Sequence, residues 1–432
     1  MSFNQLIKSK KVLLFILTIG LVLRLLYVFI IHPPEKYLYS DMQGYYERAI
    51  MYSQGRAENI YDSFYPPATH IIYSIFFKTN IPFVLIKLFN IILSIVTCFL
   101  IYLISKTLYN QKVGYISLAI ASINFLFIDF AGYMMSETCF AFLLALMFYC
   151  FLKSITSTGQ YSRWVYSFMA GLFIIIAGAT KSSILLFLPM FGLWWLFKFK
   201  KYKILFNLPF YIAGFIPIFI LLVLRFHSIT GEYGVVSTNG GFNFFQGRSH
   251  IKDAHFNDIQ RNTVYMFSSP VAIYNNYTYN DTFPTGPYDS KYFFNKGIEV
   301  AKSDVPLTIK YSLDNIYELL ILPDIWPSSS IDKPFPGLIK ISSILFIFLV
   351  LLPSFFILIV YFNTFLQGLR FLIILPILSI LITTFIFYGD PRFRVPYDVF
   401  FIVLAGYFYY EVFIKIKNWL QKNASNKLLK LN

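Results

Sequence analysis

Ser40-Asp41-Met42-Gln43-Gly44-Tyr45-Tyr46-Glu47-Arg48-Ala49 is the first polar stretch of the chain, and it follows an apolar run, residues 11–31, almost at once. Ser40 and Gln43 stand three apart, as in a helix capping box. Met42, Tyr45, Tyr46, Ala49 and Ile50 recur at helical spacing as far as Gly55, a residue type that stops helices. The spacing predicts a short amphipathic helix lying on a membrane surface, with Asp41 in its first turn. The helix dipole favours an ionised carboxylate there, and an ionised carboxylate can serve as a base. Helix capping alone would also account for an aspartate at that place.

Composition sets the class. Hydrophobic residues make up 57% of the 432 and charged residues 13%, against about 45–50% and about 25% in soluble domains. The expected fold is an all-α polytopic membrane protein. A span needs roughly 20 apolar residues, which gives about ten transmembrane helices, at 11–31, 81–105, 113–129, 131–152, 163–180, 182–198, 204–226, 337–362, 369–388 and 395–415. The formal charge of +15 does not point to nucleic acid, because the cations cluster at the ends of apolar runs. With the N-terminus inside, seventeen of the 36 Lys and Arg fall on the short inner connections and the tail, while the short outer connections hold only Lys181, Arg392 and Arg394. The positive-inside rule then puts both termini in the cytoplasm, and the partner implied for the whole chain is a lipid bilayer.

Residues 1–432 thus form one membrane domain with two exoplasmic insertions, 32–80 carrying juxtamembrane helices and 227–336 available to cover a substrate. Cys98, Cys139 and Cys150 fall within expected spans and read as packing residues. In the first insertion, Tyr65-Pro66-Pro67-Ala68-Thr69-His70 fixes the backbone before it re-enters the membrane and can aim Tyr65 and His70 at a cavity, although structural use alone would also explain it. The second opens with Ser237-Thr238-Asn239-Gly240-Gly241-Phe242-Asn243, where amides and rings suit a sugar, although Gly and Asn together also make an ordinary turn. Further on, 289–302 and 305–320 read as two helices broken around Asp304-Val305-Pro306.

Charge at membrane depth costs about 2.5–3.5 kcal/mol per residue on insertion scales, so intramembrane charges are functional candidates. Glu137, Lys181, Arg392 and Arg394 come from separate segments yet fall at the same end of the expected bundle as Asp41. Arg225 lies near enough to a span end to snorkel, and Arg24 and Lys87 call for internal partners.

In the order of these motifs, from Arg24 in the first span to Arg392-Phe393-Arg394-Val395-Pro396, the chain resembles the GT-C glycosyltransferases that use polyprenyl-phosphate sugars, in particular the branch of the protein O-mannosyltransferases and the aminoarabinose transferases of lipid A. The resemblance implies catalytic acidic residues at Asp41 and Glu137 and a donor-phosphate site at Lys181 with Arg392 or Arg394. Tyr65, His70, Asn239 and Asn243 are the further substrate-binding candidates. Aminoarabinose transferases have an acidic-basic pair before the two prolines, where this chain has Phe64-Tyr65, so their metal site does not carry over; no cofactor is certain and a divalent cation stays open. The implied partners are a polyprenyl-phosphate sugar donor and a glycolipid, polysaccharide or protein acceptor. The implied location is a bacterial inner or plasma membrane with the site on the periplasmic face.

The residues fit that chemistry on their own. A lipid phosphate is a good leaving group, so the main demand is positive charge where negative charge develops, and the acceptor hydroxyl needs a base. One base without a second nucleophile favours a single inverting displacement. The competing readings are a polymerase or ligase of lipid-linked glycans, a transporter or flippase, and a structural subunit. Transporters often place their charges near the bilayer midplane, whereas these lie at one end.

Overall fold

The computed structural model describes residues 3–192, 207–258, 263–327, 336–366 and 368–429. Among them, eight helices are long and apolar enough to cross a membrane: Lys10–Lys36, Pro82–Leu108, Glu137–Thr156, Gln160–Thr180, Leu208–Thr230, Pro336–Val360, Leu369–Ile386 and Pro391–Asn423. A ninth candidate is a pair of helices, Gln111–Ile123 and Phe125–Gly132, bent by 56°, a geometry that fits a broken span or a re-entrant loop. These correspond to nine of the ten expected spans. The sixth, 182–198, runs into residues outside the described ones, and its described part is the shorter apolar helix Ser182–Gly192. Lys181 meets Glu137 at the start of the Glu137–Thr156 helix, while the Asn207 side chain reaches the Ser154 carbonyl near its end, at 3.4 Å. Phe191 already packs on Phe151, ring centroids 4.3 Å apart, so the chain has turned back along that helix by the end of Ser182–Gly192.

Helix Gln160–Thr180 packs on Leu208–Thr230 through two glycines. A Cβ at Gly171 or Gly214 would stand 2.1 Å from a backbone oxygen of the other helix, so only glycine permits this approach. The centre of the bundle is the last long helix, where Val399 to Ala405 are all fully buried. A helix apolar all round belongs inside. Leu221, Leu224, Phe356 and Ile359 are exposed and form lipid-facing surface.

Two departures from the expected spans have local causes. Asn124 leaves the helical conformation, at ψ 114°, and its side chain caps the next short helix by accepting from the Phe127 amide at 3.3 Å. One polar residue thus breaks the apolar run 113–129. The expected span 131–152 starts late, at Glu137, because residues 133–136 are not helical. Non-helical backbone at this depth is tolerated where protein buries it and supplies partners. Asn90 donates to the carbonyls of Ala131 (3.3 Å) and Tyr133 (3.1 Å), and the Tyr73 hydroxyl donates to that of Met135 (3.3 Å).

Inside the bundle, Arg24 has hydroxyl and carbonyl partners in place of an acid: Ser94 Oγ at 2.7 Å and the carbonyls of Gly20 (2.9 Å) and Ser122 (3.0 Å). Lys87 pairs with Glu35 at 2.5 Å. Arg225 does not snorkel freely; its Nε is shared between the two Glu58 oxygens, at 3.0 and 3.1 Å, which ties its helix to the first insertion.

The first insertion holds helices Asp41–Ser53 and Ala68–Phe76. Gly55, at φ +67°, follows the first of them as expected. The capping box does not form: Ser40 sits at φ 49° with no side-chain cap, and Gln43 donates instead to Glu47 at 2.6 Å. In the second insertion, Asn239–Ser249 is helical although its Gly and Asn residues also suit a turn. Helices Ser290–Ser303 and Val305–Ile321 meet at Asp304, whose carboxylate caps the second. The insertion also adds something the all-α expectation lacked, a three-stranded sheet in the order Thr263–Ser268, Asp253–Asp258, Asn280–Phe283. The first pair is antiparallel and the second parallel. Phe242, Phe245, Phe256, Phe283 and Phe293 form a satellite core beneath it.

Candidate active site

A cavity of about 460 Å³ opens between the two insertions and the bundle. Asp41, Tyr65, Glu137, Lys181, Asn239, Asn243 and Arg392, all singled out from sequence, line it. Each arrives there by its own local geometry. Asp41 is the first residue of its helix. Tyr65, extended because a proline follows it, passes close over Gly44, where a Cβ would lie 3.1 Å from its hydroxyl. That hydroxyl donates to Asp41 Oδ1 at 3.0 Å, and the Arg48 guanidinium covers the ring at 4.3 Å. Glu137 opens its helix, where the dipole favours a carboxylate, and Lys181 follows the last turn of its own, where the dipole favours a cation.

Arg392 lies in the short helix Pro391–Arg394, whose N-cap is Asp390; Asp390 Oδ1 accepts from the Arg392 amide at 2.8 Å. The guanidinium is held over Trp326 at 4.5 Å and over Phe393 at 5.1 Å, and its Nη1 donates to Asp41 Oδ2 at 2.7 Å. Lys181 Nζ donates to Glu137 Oε1 at 2.7 Å and lies over the same Phe393 ring at 4.6 Å. Two cations thus lie against one ring. Burial lowers the Lys181 pKa even though Glu137 opposes the shift. Burial likewise raises the Asp390 carboxyl, against Arg392.

Every cation of the cavity is therefore paired with a carboxylate. The carboxylates Asp41, Glu137 and Asp390 outnumber the cations Lys181 and Arg392.

Two residues singled out from sequence do not line the cavity. Arg394 is buried beside it, donating to Asp398 at 3.1 Å and to the Leu320 carbonyl at 2.8 Å. His70 is fully buried beneath Tyr45 and Tyr52, and burial, with Arg48 and Arg225 adding, holds its imidazole neutral. Neither side chain lines the cavity in this arrangement. Sequence reasoning gave no role to Asp390, Gln246 and Trp326, which do line the cavity. Asp390 alone carried a signal, as an aspartate before Pro-Arg, which suits a helix cap. Among the described residues no group of His, Cys, Asp and Glu has a metal-holding arrangement.

Residues 63–228 match the family model of the dolichyl-phosphate-mannose-protein mannosyltransferases. That segment contains Tyr65, His70, Glu137 and Lys181 but neither Asp41 nor Arg392. In fold, the chain is similar to an oligosaccharyltransferase of Archaeoglobus fulgidus solved with zinc and sulfate, with TM-score 0.53 and 12% identity, covering 93% of this chain and 49% of that one. It is also similar to the oligosaccharyltransferase AglB of Archaeoglobus fulgidus, solved with an inhibitory peptide and a dolichol-phosphate, with TM-score 0.55 and 12% identity, covering 98% of this chain and 52% of that one. The chain spans about half the length of these structures. No curated protein matches it. The likeness to these two structures is one of fold, and the family pattern reaches over residues 63–228 of the 432.

Proposed function

We propose that the chain is a membrane glycosyltransferase that moves a hexose or pentose from a polyprenyl-phosphate donor to an acceptor hydroxyl at the outer, periplasmic face of a bacterial inner membrane. The observation that carries this reading is the meeting of the pairs Asp41–Arg392 and Glu137–Lys181 in one cavity, from four segments far apart in sequence. Two cations beside one ring suit a phosphate, Arg392 by a fork and Lys181 by a point charge. The names of the matched family and of the AglB structure, with its dolichol-phosphate, support a lipid donor carrying phosphate.

In the reaction, the acceptor oxygen attacks the anomeric carbon from the face opposite the phosphate and gives its proton to Asp41. The bond from that carbon to the phosphate oxygen breaks, and the electron pair leaves with the polyprenyl phosphate. Arg392 and Lys181 neutralise the charge that develops there, an electrostatic role worth several kcal/mol in a water-poor site. Glu137 positions Lys181. A single displacement of this kind inverts the anomeric centre. Residues 32–80 supply the base, and 227–336, through Asn239 and Asn243, cover the substrate.

The test is transfer by the purified protein in nanodiscs, supplied with a panel of polyprenyl-phosphate hexoses and pentoses and with envelope lipids and glycans as acceptors. Labelled sugar should move to an acceptor at a rate that needs the lipid phosphate. Cells lacking the protein should lose the same sugar from their surface. An unchanged surface glycan together with no transfer from any donor would end this reading.

A further inference from the structure

A second cavity of about 490 Å³ lies in the second insertion, and none of the residues lining the first belongs to it. Its volume falls in the range of small-ligand sites, about 300–1,000 Å³. Its walls are rings, amides and one buried carboxyl. Tyr279 and Tyr317 line it with exposed rings, 41% and 58% accessible. His250 is stacked between Tyr277, at 4.5 Å, and Tyr311, at 3.9 Å. Glu318 is only 2% exposed; its Oε1 accepts from Asn275 at 2.7 Å and from the Tyr277 hydroxyl, while Oε2 is buried without a partner. A buried polar atom left unpaired costs about 1–3 kcal/mol, so this carboxyl is held in the wall at a cost to the fold.

Backbone strain marks the same place. The described non-glycine residues with positive φ are Ser40, His250 and Asn276; Ser40 lines the first cavity, and the other two line the second. Such conformations cost roughly 1–3 kcal/mol each and cluster at functional sites. At the rim Lys310 and Asp314 offset each other, so the cavity has no charge bias toward phosphate or amine.

The two cavities are neighbours. Helix Pro270–Asn275 starts in the wall of the first and ends in that of the second, six residues or about 9 Å along its axis. Helix Val305–Ile321 brings Tyr311 and Glu318 to the second cavity while Val305, Ile309 and Leu313 are exposed on an adjacent face. An exposed apolar row beside the mouth is what a helix resting on a lipid surface presents.

We propose that this second cavity is a carbohydrate site for an uncharged sugar residue of the acceptor, held apart from the residue that receives the transferred sugar. Tyrosine faces stack on the apolar side of a sugar ring, and amides with a carboxyl bond its hydroxyls. The proposal rests on the transferase reading for the word acceptor, and on the cavity alone for the sugar.

Saturation-transfer NMR on the protein in nanodiscs tests it, with the methyl glycosides of glucose, galactose, mannose and N-acetylglucosamine as probes. At least one should receive saturation. That signal should fall at least fivefold in Tyr279→Ser/Tyr317→Ser, two exposed positions outside the hydrophobic clusters, with an unchanged unfolding temperature as the folding control, and should persist in Arg392→Ala. No signal with any probe would overturn the proposal, as would a signal that survives the tyrosine variant or vanishes in Arg392→Ala. Nanodiscs containing a glucosyl diacylglycerol supply a second arm: displacement of the bound glycoside supports the site with a lipid headgroup as its source, and no displacement supports it with a free or polymeric glycan. Because Arg392→Ala should weaken donor binding and leave glycoside binding unchanged, failure of the transferase reading and failure of this one give different results.

Discussion

In the first cavity five ionisable groups, Asp41, Glu137, Lys181, Asp390 and Arg392, converge from four segments of the chain, whereas the second is built inside residues 249–318 from rings, amides and one buried carboxyl. The first holds its charges in pairs. The second leaves a polar atom, Glu318 Oε2, without a partner. One cavity is arranged to exchange charge and the other to accept hydroxyls. Substitutions that act on one cavity and spare the other are the means of breaking that contrast.

The largest effect is expected at Asp41. Asp41→Asn keeps an acceptor for the Tyr65 hydroxyl and for Arg392 but loses the negative charge and most of the basicity. Transfer should fall by about 10²–10⁴-fold, the usual contribution of a general base, with protein level unchanged. Initial rates at low enzyme concentration measure it. A rate within about threefold of the wild type would leave Asp41 as a helix-end residue, since general-base loss cannot be so mild.

Lys181→Ala separates pairing from catalysis. Glu137 is 2% exposed on its side chain and Lys181 16%, so removing the lysine leaves a buried carboxylate uncompensated. Thermal unfolding in nanodiscs should show a loss of about 3–5 kcal/mol of stability. The double variant Lys181→Met/Glu137→Gln removes both charges and should restore most of that stability while transfer stays low. Recovery of transfer in the double variant would make the pair structural and take Lys181 out of the donor site.

Arg392→Ala should weaken donor binding by about 10–150-fold, the equivalent of a charge-assisted hydrogen bond of about 1.5–3 kcal/mol. Arg392→Lys should recover only part of this, because a point charge does not replace a fork. Arg394→Ala is the control. It leaves Asp398 buried without its partner and should lower stability, yet the folded fraction should keep its donor affinity.

The paired charges of the first cavity were legible in the sequence for a physical reason. Asp41, Glu137, Lys181 and Arg392 stand where charge is expensive, so each needed an explanation. The same rule could not tell Arg392 from Arg394, two residues apart; the N-cap at Asp390 sets the phase of the short helix and turns one inward and the other to Asp398. His70 read as polar beside a double proline, although its ring packs under Tyr45 and Tyr52. Hydropathy also overran the start of the Glu137–Thr156 helix, because Ala131 to Met135 are apolar whether helical or not, and only Asn90 and Tyr73, distant in sequence, show how non-helical backbone is satisfied there. The sheet and the second cavity gave no periodic signal of comparable strength. Strand Asp253–Asp258 is six residues long, and the rings of the second cavity are brought together by tertiary packing.

The smallest effect sharpens the contrast through pH. The Glu318 carboxyl is pushed up to about 8, chiefly by burial and against its hydrogen bond from Tyr277, while Asp314 and Asp390 raise it further. Below that value the fold holds the neutral acid, which offers a donor as well as an acceptor to a sugar hydroxyl. Above it the group becomes a buried anion, which is disfavoured, so the arrangement that binds a neutral ligand is lost as pH rises through the folded pKa. The titratable and charged groups that act on Glu318 or line the same cavity are Lys310, Asp314, Asp390, His250, Tyr277, Tyr279, Tyr311 and Tyr317, and burial holds His250 down at about 4, so its imidazole does not titrate in this range. Glycoside binding should therefore be level from about pH 6 to about pH 7 and weaken several-fold by about pH 9. Glu318→Gln, neutral throughout, should bind and flatten the profile. A profile that keeps its slope in Glu318→Gln would take the titration away from Glu318, and the buried carboxyl would then have no part in holding the sugar.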